Sequence, residues 1–230
     1  AYATSEDAIH WERPALEGFP AASSGATNQI LHGLAADSSA FLIDESDPAA
    51  PYKCFVRQPD SAENPEGRGW GEYAGRLRGY VMESSDGIHW STPMPTRPVG
   101  DRSTIFYNPF RKKWVFSIRS YHFGKTFKRV RSYRESDQLL VNPDWDDAEE
   151  SFWSRTDHLD VPDPAIGDMP QLYNLDAIAY ESVMLGLFEI HLGPHNNTCA
   201  RGGFPKTVDV KIGFSRDGFH WDRPCRDAFI

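Results

Sequence analysis

Short apolar or alternating stretches, each followed by turn residues, recur along the chain. Alternation of apolar and polar positions over about four to eight residues is typical of half-buried β-strands. Two such stretches joined by a few turn residues, as at 108–112 and 181–182, predict antiparallel hairpins. The predicted strands are 39–43, 52–57, 79–82, 103–107, 113–120, 129–133, 173–180, 183–190 and 208–214.

A ten-residue motif occurs three times and is the strongest pattern in the sequence. The copies are SEDAIHWERP at 5–14, SSDGIHWSTP at 84–93 and SRDGFHWDRP at 215–224, and a degraded copy, ESDQLLVNP, occupies 135–143. Asp-Gly between apolar residues is typical of a two-residue hairpin turn, because Gly adopts positive φ at little cost. We predict that each copy forms the last hairpin of a small sheet, with Ile/Phe-His-Trp as the return strand and Pro at its end.

The phase of this repeat predicts the architecture. One interval between copies is close to the ~40–50 residues of a propeller blade, and polar, turn-rich insertions at 58–76, 143–170 and 193–206 account for the longer intervals as loops. Strand–turn–strand followed by the repeat hairpin therefore predicts an all-β fold, a β-propeller of four-stranded antiparallel blades. A β-sandwich is the alternative, but it leaves three matching hairpins in phase unexplained.

Composition and charge narrow the function classes. Seven Trp, 18 Gly and 17 Pro agree with a turn-rich all-β chain. The net charge of −9 argues against a nucleic-acid backbone or an anionic membrane as the partner, since both need a basic face. No apolar stretch reaches the ~20 residues of a membrane span. No stretch has the layout of a signal peptide, and the localisation stays open between cytoplasmic and secreted.

The three cysteines, Cys54, Cys199 and Cys225, are an odd number without a short paired spacing. A zinc site needs ligands that are closer in sequence, so we predict no metal site and no cofactor. Unpaired thiols and a single Cys199–Cys225 disulfide are the two interpretations of this pattern.

Three segments carry a resemblance to a known family: Phe-Leu-Ile-Asp-Glu followed by Ala-Ala-Pro-Tyr-Lys-Cys, Tyr-Asn-Pro-Phe-Arg-Lys-Lys-Trp-Val, and the Ser-Arg-Asp-Gly-Phe-His-Trp motif. They resemble the five-bladed β-propeller glycosidases, the clan of arabinanases, β-xylosidases and invertase-like fructosidases, and most of all its poorly characterised bacterial invertase-like members. The resemblance implies one propeller domain over 1–230 that is a fragment of a five-bladed ring. The implied units are 1–14 (outer strand of a preceding blade), the blades 25–93, 98–143 and 168–224, and 225–230 (start of the next blade).

The resemblance also implies a glycoside hydrolase that cleaves oligo- or polysaccharides. Such enzymes place two carboxyl groups across the scissile bond, one protonated and one ionised. Asp101 stands ahead of an apolar strand, where the clan has an inward carboxylate, and Asp176 interrupts an apolar strand, where an unpaired charge is costly. Glu189, in the following strand, is the candidate acid. We predict Asp101, Asp176 and Glu189 as catalytic residues.

Polar residues near these positions are the predicted sugar ligands. Asn174 shares a strand face with Asp176, and His191 shares one with Glu189, because strand side chains alternate. Asp101 is followed by Arg102, whose guanidinium can pair with it or bind a carboxylate of the substrate. The predicted substrate-binding residues are Asn28, His32, Arg102, Asp168, Asn174 and His191. The Asp and His of the repeat occur once per copy, so we assign them to the fold.

Two other functions fit the same residues. One is a propeller that binds carbohydrate or another partner without catalysis, and the other is a phosphorolytic relative in which bound phosphate replaces a carboxylate. A basic run over 119–131, with Arg119, His122, Lys125, Lys128, Arg129 and Arg131, either binds an anionic sugar such as a uronate or forms a solvated face. The predicted partner is thus a carbohydrate, and the oligomeric state stays open.

Overall fold

A computed structural model describes residues 2–17, 28–31, 37–59, 77–123 and 127–230. These residues form an all-β fold, as predicted, with one short helix, α1 (Asn196–Gly202), and a 3-10 turn at Asp147–Glu149. The strands are β1 (Asp37–Ile43), β2 (Tyr52–Pro59), β3 (Leu77–Ser84), β4 (Met94–Pro98), β5 (Thr104–Asn108), β6 (Lys113–Phe123), β7 (Phe127–Ser136), β8 (Ser151–Ser154), β9 (Gln171–Tyr180), β10 (Val183–Gly193) and β11 (Thr207–Ser215).

The strands form three antiparallel sheets in simple meander order. Sheet 1 has the order β1-β2-β3-β4, sheet 2 the order β5-β6-β7-β8, and sheet 3 the order β11-β10-β9. The sheets follow one another through their first strands, since β1 contacts β5 and β5 contacts β9. The predicted β-propeller is wrong: within the described residues the three sheets stay open and neither curl nor close, and a propeller ring needs at least about four blades.

Sheet 2 is buried on both faces and holds the molecule together. One apolar cluster joins Phe106, Val115 and Trp153 of sheet 2 to Leu172 and Phe188 of sheet 3. A second cluster joins the opposite face of sheet 2 to sheet 1. Its members include Phe55, Val81, Ile105, Trp114, Phe116 and Ile118. The alternation of Trp114, Val115 and Phe116 between the two clusters follows from the two-residue period of a strand.

The repeat does not form the predicted two-residue hairpin. In each copy an Asp Oδ1 accepts the backbone N–H groups two and three residues later, at 2.8 Å, as Asp86 does from Ile88 and His89. These are the donors that a return strand would give to a ladder, so the Ile-His-Trp segment bends instead, and β4 begins only at Met94. The fourth position of the motif has φ of 60–77° in Ala8, Gly87 and Gly218, which explains the small residue there.

The degraded fourth copy lacks this loop. β7 ends at Ser136, and the Asp137 carboxylate pairs with Lys113 at 2.7 Å. The predicted loops also contain regular structure, because β8 lies within 143–170 and extends sheet 2 past residue 143, while α1 lies within 193–206. Most of the predicted loop 58–76 lies outside the described residues.

Backbone contacts tie the C-terminal segment to sheet 3. Val210 of β11 exchanges hydrogen bonds with Phe229 and Ile230, and Phe214 pairs with Asp222, so residues 222–230 run beside sheet 3.

All three cysteines are free thiols, and burial raises the pKa of Cys54 to about 12. No helix in the described part of the chain is long and apolar enough to cross a membrane.

Candidate functional site

Asp101 lies in the turn that leads into β5 and is held by residues of two other sheets. Its Oδ1 lies 3.3 Å from Nη2 of Arg57 in sheet 1, and its Oδ2 accepts a 2.9 Å hydrogen bond from the Tyr173 hydroxyl in sheet 3. Burial alone would raise the pKa of this carboxyl. The hydrogen bond from Tyr173 and the positive charges of Arg57, Arg119 and Arg102 outweigh burial and lower it.

An irregularity in sheet 3 accompanies the position of Tyr173. Asn174 pairs with Glu189 and Leu172 pairs with Ile190, so Tyr173 is an extra residue on β9 without a partner on β10. Such a bulge re-aims side chains and is frequent next to functional sites. The side chain of Tyr173 thereby reaches Asp101 while Leu172 and Leu175 stay fully buried.

The buried guanidinium of Arg131 lies between sheets 2 and 3. It donates to the carbonyl of Arg102 at 2.9 Å, to that of Ser117 at 3.3 Å and to that of Tyr173. Burial and the neighbouring Arg119 lower its pKa to about 9, against the opposing charges of the predicted catalytic acids. Those acids are Glu189, Asp176 and Asp101. The charges of the three predicted catalytic carboxyl groups thus all act on this one buried cation.

The pKa values of the three carboxyl groups are shifted in different directions. Burial raises the pKa of Glu189, with Asp101 adding to the rise and with Arg102 and Arg131 opposing it. Burial also raises the pKa of Asp176, although the backbone N–H of Ala177 donates to Oδ1 at 3.0 Å. The pKa of Asp101, by contrast, is lowered. Neighbouring carboxyls whose pKa values are driven apart are suited to acid and base roles respectively.

Arg102 joins the cluster with an exposed side chain and a constrained backbone. Its φ is 57°, its N–H donates to the hydroxyl of Ser38 at 3.2 Å, and its carbonyl accepts from Arg131. The guanidinium interacts with the Tyr173 hydroxyl and with the charges of Glu189 and Asp101. Arg102 is thus a cation of this site that reaches solvent.

Two of the other predicted sugar ligands lie beside the cluster. Asn174 is paired across the strands with Glu189, and its Oδ1 accepts the N–H of Leu175. His191 is only 2% exposed, its ring lies 5.8 Å from that of Tyr173, and neither ring nitrogen has a hydrogen-bond partner. Burial lowers the pKa of His191, and Arg129 and Lys206 add to this shift. His191 is therefore a neutral polar group near the site at ordinary pH.

The remaining predicted ligands have other contacts. Asn28 is buried, exchanges hydrogen bonds with the backbone of Tyr2 and so anchors the N-terminal segment. Asp168 accepts the N–H of His195 at 2.7 Å and stabilises the start of α1. His32 lies outside the described residues.

The burial of the arginines and the role of Tyr173 were not predicted from the sequence. The prediction of a solvated basic face is wrong for Arg119 and Arg131, which are 7% and 0% exposed. The side chains of His122 and Lys125 lie outside the described part of the structure. Arg57 in β2 is also buried. The alternation of β7 was the available signal, because Arg129, Arg131 and Tyr133 share one strand face and Tyr133 belongs to the core. Within the described residues, no group of three His, Cys, Asp or Glu side chains has a metal-binding arrangement.

Comparison with known proteins gives the fold only. No family model and no curated protein matches the chain. Among solved structures, it is similar to an N-acetylgalactosamine deacetylase from F. plautii, determined in complex with blood group B trisaccharide, with a TM-score of 0.61 and 14% identity. The match covers 96% of this chain and 59% of that chain, so the sequence spans little more than half the length of this neighbour.

Proposed function

We propose that this protein acts on carbohydrates and hydrolyses glycosidic bonds at the cluster of Asp101, Asp176 and Glu189. The observation that carries the proposal is the opposed pKa shift of two carboxyl groups that interact: the pKa of Glu189 is raised, in part by the charge of Asp101, and that of Asp101 is lowered. Glycoside hydrolysis requires one protonated and one ionised carboxyl group near the same bond. The similarity to an N-acetylgalactosamine deacetylase supports only the carbohydrate part of the proposal.

The proposed roles follow from the directions of these pKa shifts. Glu189 donates its proton to the leaving oxygen, and the ionised Asp101 stabilises the positive charge that develops on the sugar ring, or activates the attacking water. Asp176, with its raised pKa, hydrogen-bonds a sugar hydroxyl. Tyr173 and Arg57 position the Asp101 carboxylate. Arg102, whose side chain is exposed, contacts the substrate.

One observation favours a second candidate, carbohydrate binding without cleavage. Both oxygens of Asp101 already have partners, Arg57 on one side and Tyr173 on the other. A carboxylate held in this way is a weak base, but it is a well-oriented acceptor for sugar hydroxyls.

The test is a panel of aryl glycosides and oligosaccharides assayed with wild type, Glu189→Gln and Asp101→Asn. Glu181→Gln, in the exposed turn between β9 and β10, is the matched control. Hydrolysis that falls at least about a hundredfold in Glu189→Gln but not in Glu181→Gln supports the proposal. Equal activity in wild type and both site variants rejects it. Sugar binding without turnover selects the second candidate, and release of acetate from N-acetylated sugars in place of glycosidic cleavage also rejects hydrolysis.

A further inference from the structure

A groove of about 250 Å³ lies beside the candidate site. It is formed where the start of β7 meets the segment after β8 and the residues just before β9, and its lining includes four basic side chains. These are Lys128, Arg129, Arg155 and His158. In a chain of net charge −9, such a concentration of cations in one concave surface marks a place suited to an anion.

The acidic residues of the groove are already neutralised. Asp160 has a fully buried side chain and forms a two-point ion pair with Arg223, at 3.0 and 2.8 Å. Asp157 forms a second two-point pair with Arg226, at 2.8 and 2.9 Å. Arg223 and Arg226 thus hold both carboxylates from within the fold, and these acids do not consume the cations that line the groove.

The groove cations have little to pair with inside the protein. Among the described residues, no carboxylate lies within ion-pair distance of Lys128, Arg155 or His158. Arg155 and His158 are exposed and Lys128 is half-buried. Only Arg129 is held, by Gln171 at 3.0 Å. Three of the four positive or titratable groups are therefore available to a ligand.

Arg129 connects the groove with the candidate site. It lines the groove, and its guanidinium lies over the ring of Tyr173 at 5.3 Å from the centroid. The hydroxyl of the same Tyr173 binds Asp101. One arginine and one tyrosine thus span the distance between the groove and the carboxylates, which places the groove within reach of a second sugar unit of a bound chain.

We infer that this groove binds the anionic group, a carboxylate or a sulfate ester, of an acidic saccharide whose neighbouring unit occupies the Asp101–Glu189 site. The inference rests on the proposed function, since it assigns a substrate class to that site. Lys128 and Arg155 supply the charge, and Arg129 orients the chain between the two sites.

Calorimetric titration with the trimer of galacturonic acid tests this inference, with its fully methyl-esterified form as the uncharged counterpart and a sulfated galactose trisaccharide as the second anion. Wild type is expected to bind an acidic trimer more tightly than the ester, and to lose affinity with added salt. Lys128→Met/Arg155→Gln is expected to weaken acidic binding roughly tenfold, which is about 1.4 kcal/mol. Lys112→Met/Arg216→Gln makes the same charge change at two exposed residues elsewhere and should have no effect.

The outcomes separate the two proposals. If wild type binds neither acidic trimer, or binds the ester equally well, or if both double variants behave alike, the groove assignment is overturned. If neutral glycosides are cleaved in a Glu189-dependent manner but acidic binding does not depend on Lys128 and Arg155, hydrolysis stands and the groove falls. If acidic binding depends on the groove but no glycoside is cleaved, the groove stands and hydrolysis falls.

Discussion

The hydroxyl of Tyr173 donates a 2.9 Å hydrogen bond to the carboxylate of Asp101, which precedes it by 72 residues. Asp101 lies in the turn before β5 of sheet 2, Tyr173 lies in sheet 3, and the bulge at Tyr173 on β9 lies at the contact. The other carboxylate oxygen of Asp101 lies 3.3 Å from Arg57 of sheet 1. Through this pair, all three sheets determine the ionisation of one carboxyl group.

Tyr173→Phe tests that relationship. Without the hydroxyl, Asp101 loses a donor that favours its charged form, so the pKa of Asp101 should rise toward its ordinary value. A carboxyl whose pKa is lowered by folding stabilises the protein at pH values above its pKa in the unfolded chain. That stabilisation is lost as the pH falls through its pKa in the folded protein. The variant should therefore be less stable than wild type by about 1–2 kcal/mol near neutral pH, and the difference should shrink in acid. Urea unfolding at several pH values measures this effect.

The control for this variant lies on the same strand. Tyr180→Phe removes an equal hydroxyl from an exposed ring at the end of β9 and should leave stability unchanged. A Tyr173→Phe deficit that stays constant from neutral pH to pH 3 would count against a role of the hydroxyl in the ionisation of Asp101.

Glu189 should set the alkaline limit of activity. The folded pKa of Glu189 is raised, so the proton that it donates is lost as the pH rises through that value, while Asp101 becomes ionised at lower pH. The result is a bell-shaped dependence of kcat/KM on pH. Arg102→Gln removes a charge that stabilises ionised Glu189, and should move the alkaline limb to higher pH.

The same shift predicts a stability effect of the opposite sign to that of Asp101. A carboxyl with a raised folded pKa binds more protons in the folded state, so its contribution is present below the unfolded pKa and is lost as the pH rises through the folded pKa. Glu189→Gln should abolish this loss of stability. At pH values above the folded pKa of Glu189, the unfolding free energy of the variant should exceed that of wild type. A variant that follows the wild-type pH curve of stability would contradict the raised pKa.

The strands could be predicted from sequence because they depend on local pattern. Asp176 in an apolar strand was a visible anomaly, and its charge interacts with that of the buried Arg131. The buried arginines were not predictable in the same way. Arg131 is accepted in the interior because it donates to carbonyl groups of Ser117 and Tyr173, on other strands, and these partners have no local signature.

The propeller prediction failed for a related reason. The motif at 84–93 specifies its own loop through the hydrogen bonds of Asp86 to Ile88 and His89, and says nothing about how one sheet meets the next. Sheet closure depends on the number and splay of the sheets. The local repeat was therefore real, while the ring inferred from it was not.

Substitutions in the repeat should have unequal costs. Gly87 and Gly218 have φ of 74° and 77°, so Ala at either position costs about 1 kcal/mol for the backbone alone. A Cβ at Gly218 would also collide with the amide of Asn108, which donates to the carbonyl of Asp217 at 2.7 Å, whereas a Cβ at Gly87 meets only Tyr52 at 3.5 Å. We expect Gly218→Ala to cost about 2–3 kcal/mol in chemical denaturation.

The first copy provides the reverse experiment. Ala8 already has φ of 60°, so Ala8→Gly should leave the protein as stable or stabilise it slightly. Equal costs for Gly87→Ala and Gly218→Ala would show that the contact with Asn108 contributes nothing.

Arg131 should link stability to the chemistry of the site. Arg131→Met leaves the carbonyls of Arg102, Ser117 and Tyr173 without this donor, and a buried acceptor left unsatisfied costs about 1–3 kcal/mol. Burial of this charge also destabilises the folded protein, since burial lowers the pKa of Arg131 to about 9. The two effects oppose each other, and we expect a net loss of about 2 kcal/mol.

The ionisation of Glu189 distinguishes this role from simple packing. Arg131 lowers the pKa of Glu189, so Arg131→Met should raise that pKa further and move the alkaline limb of activity upward, whereas Arg131→Lys keeps the charge and should leave the limb in place. Arg111→Met, which removes a partly exposed partner of Glu135, should cost less than about 1 kcal/mol and leave the pH profile unchanged. Identical pH profiles for the Met and Lys variants of Arg131 would mean that its charge does not reach Glu189.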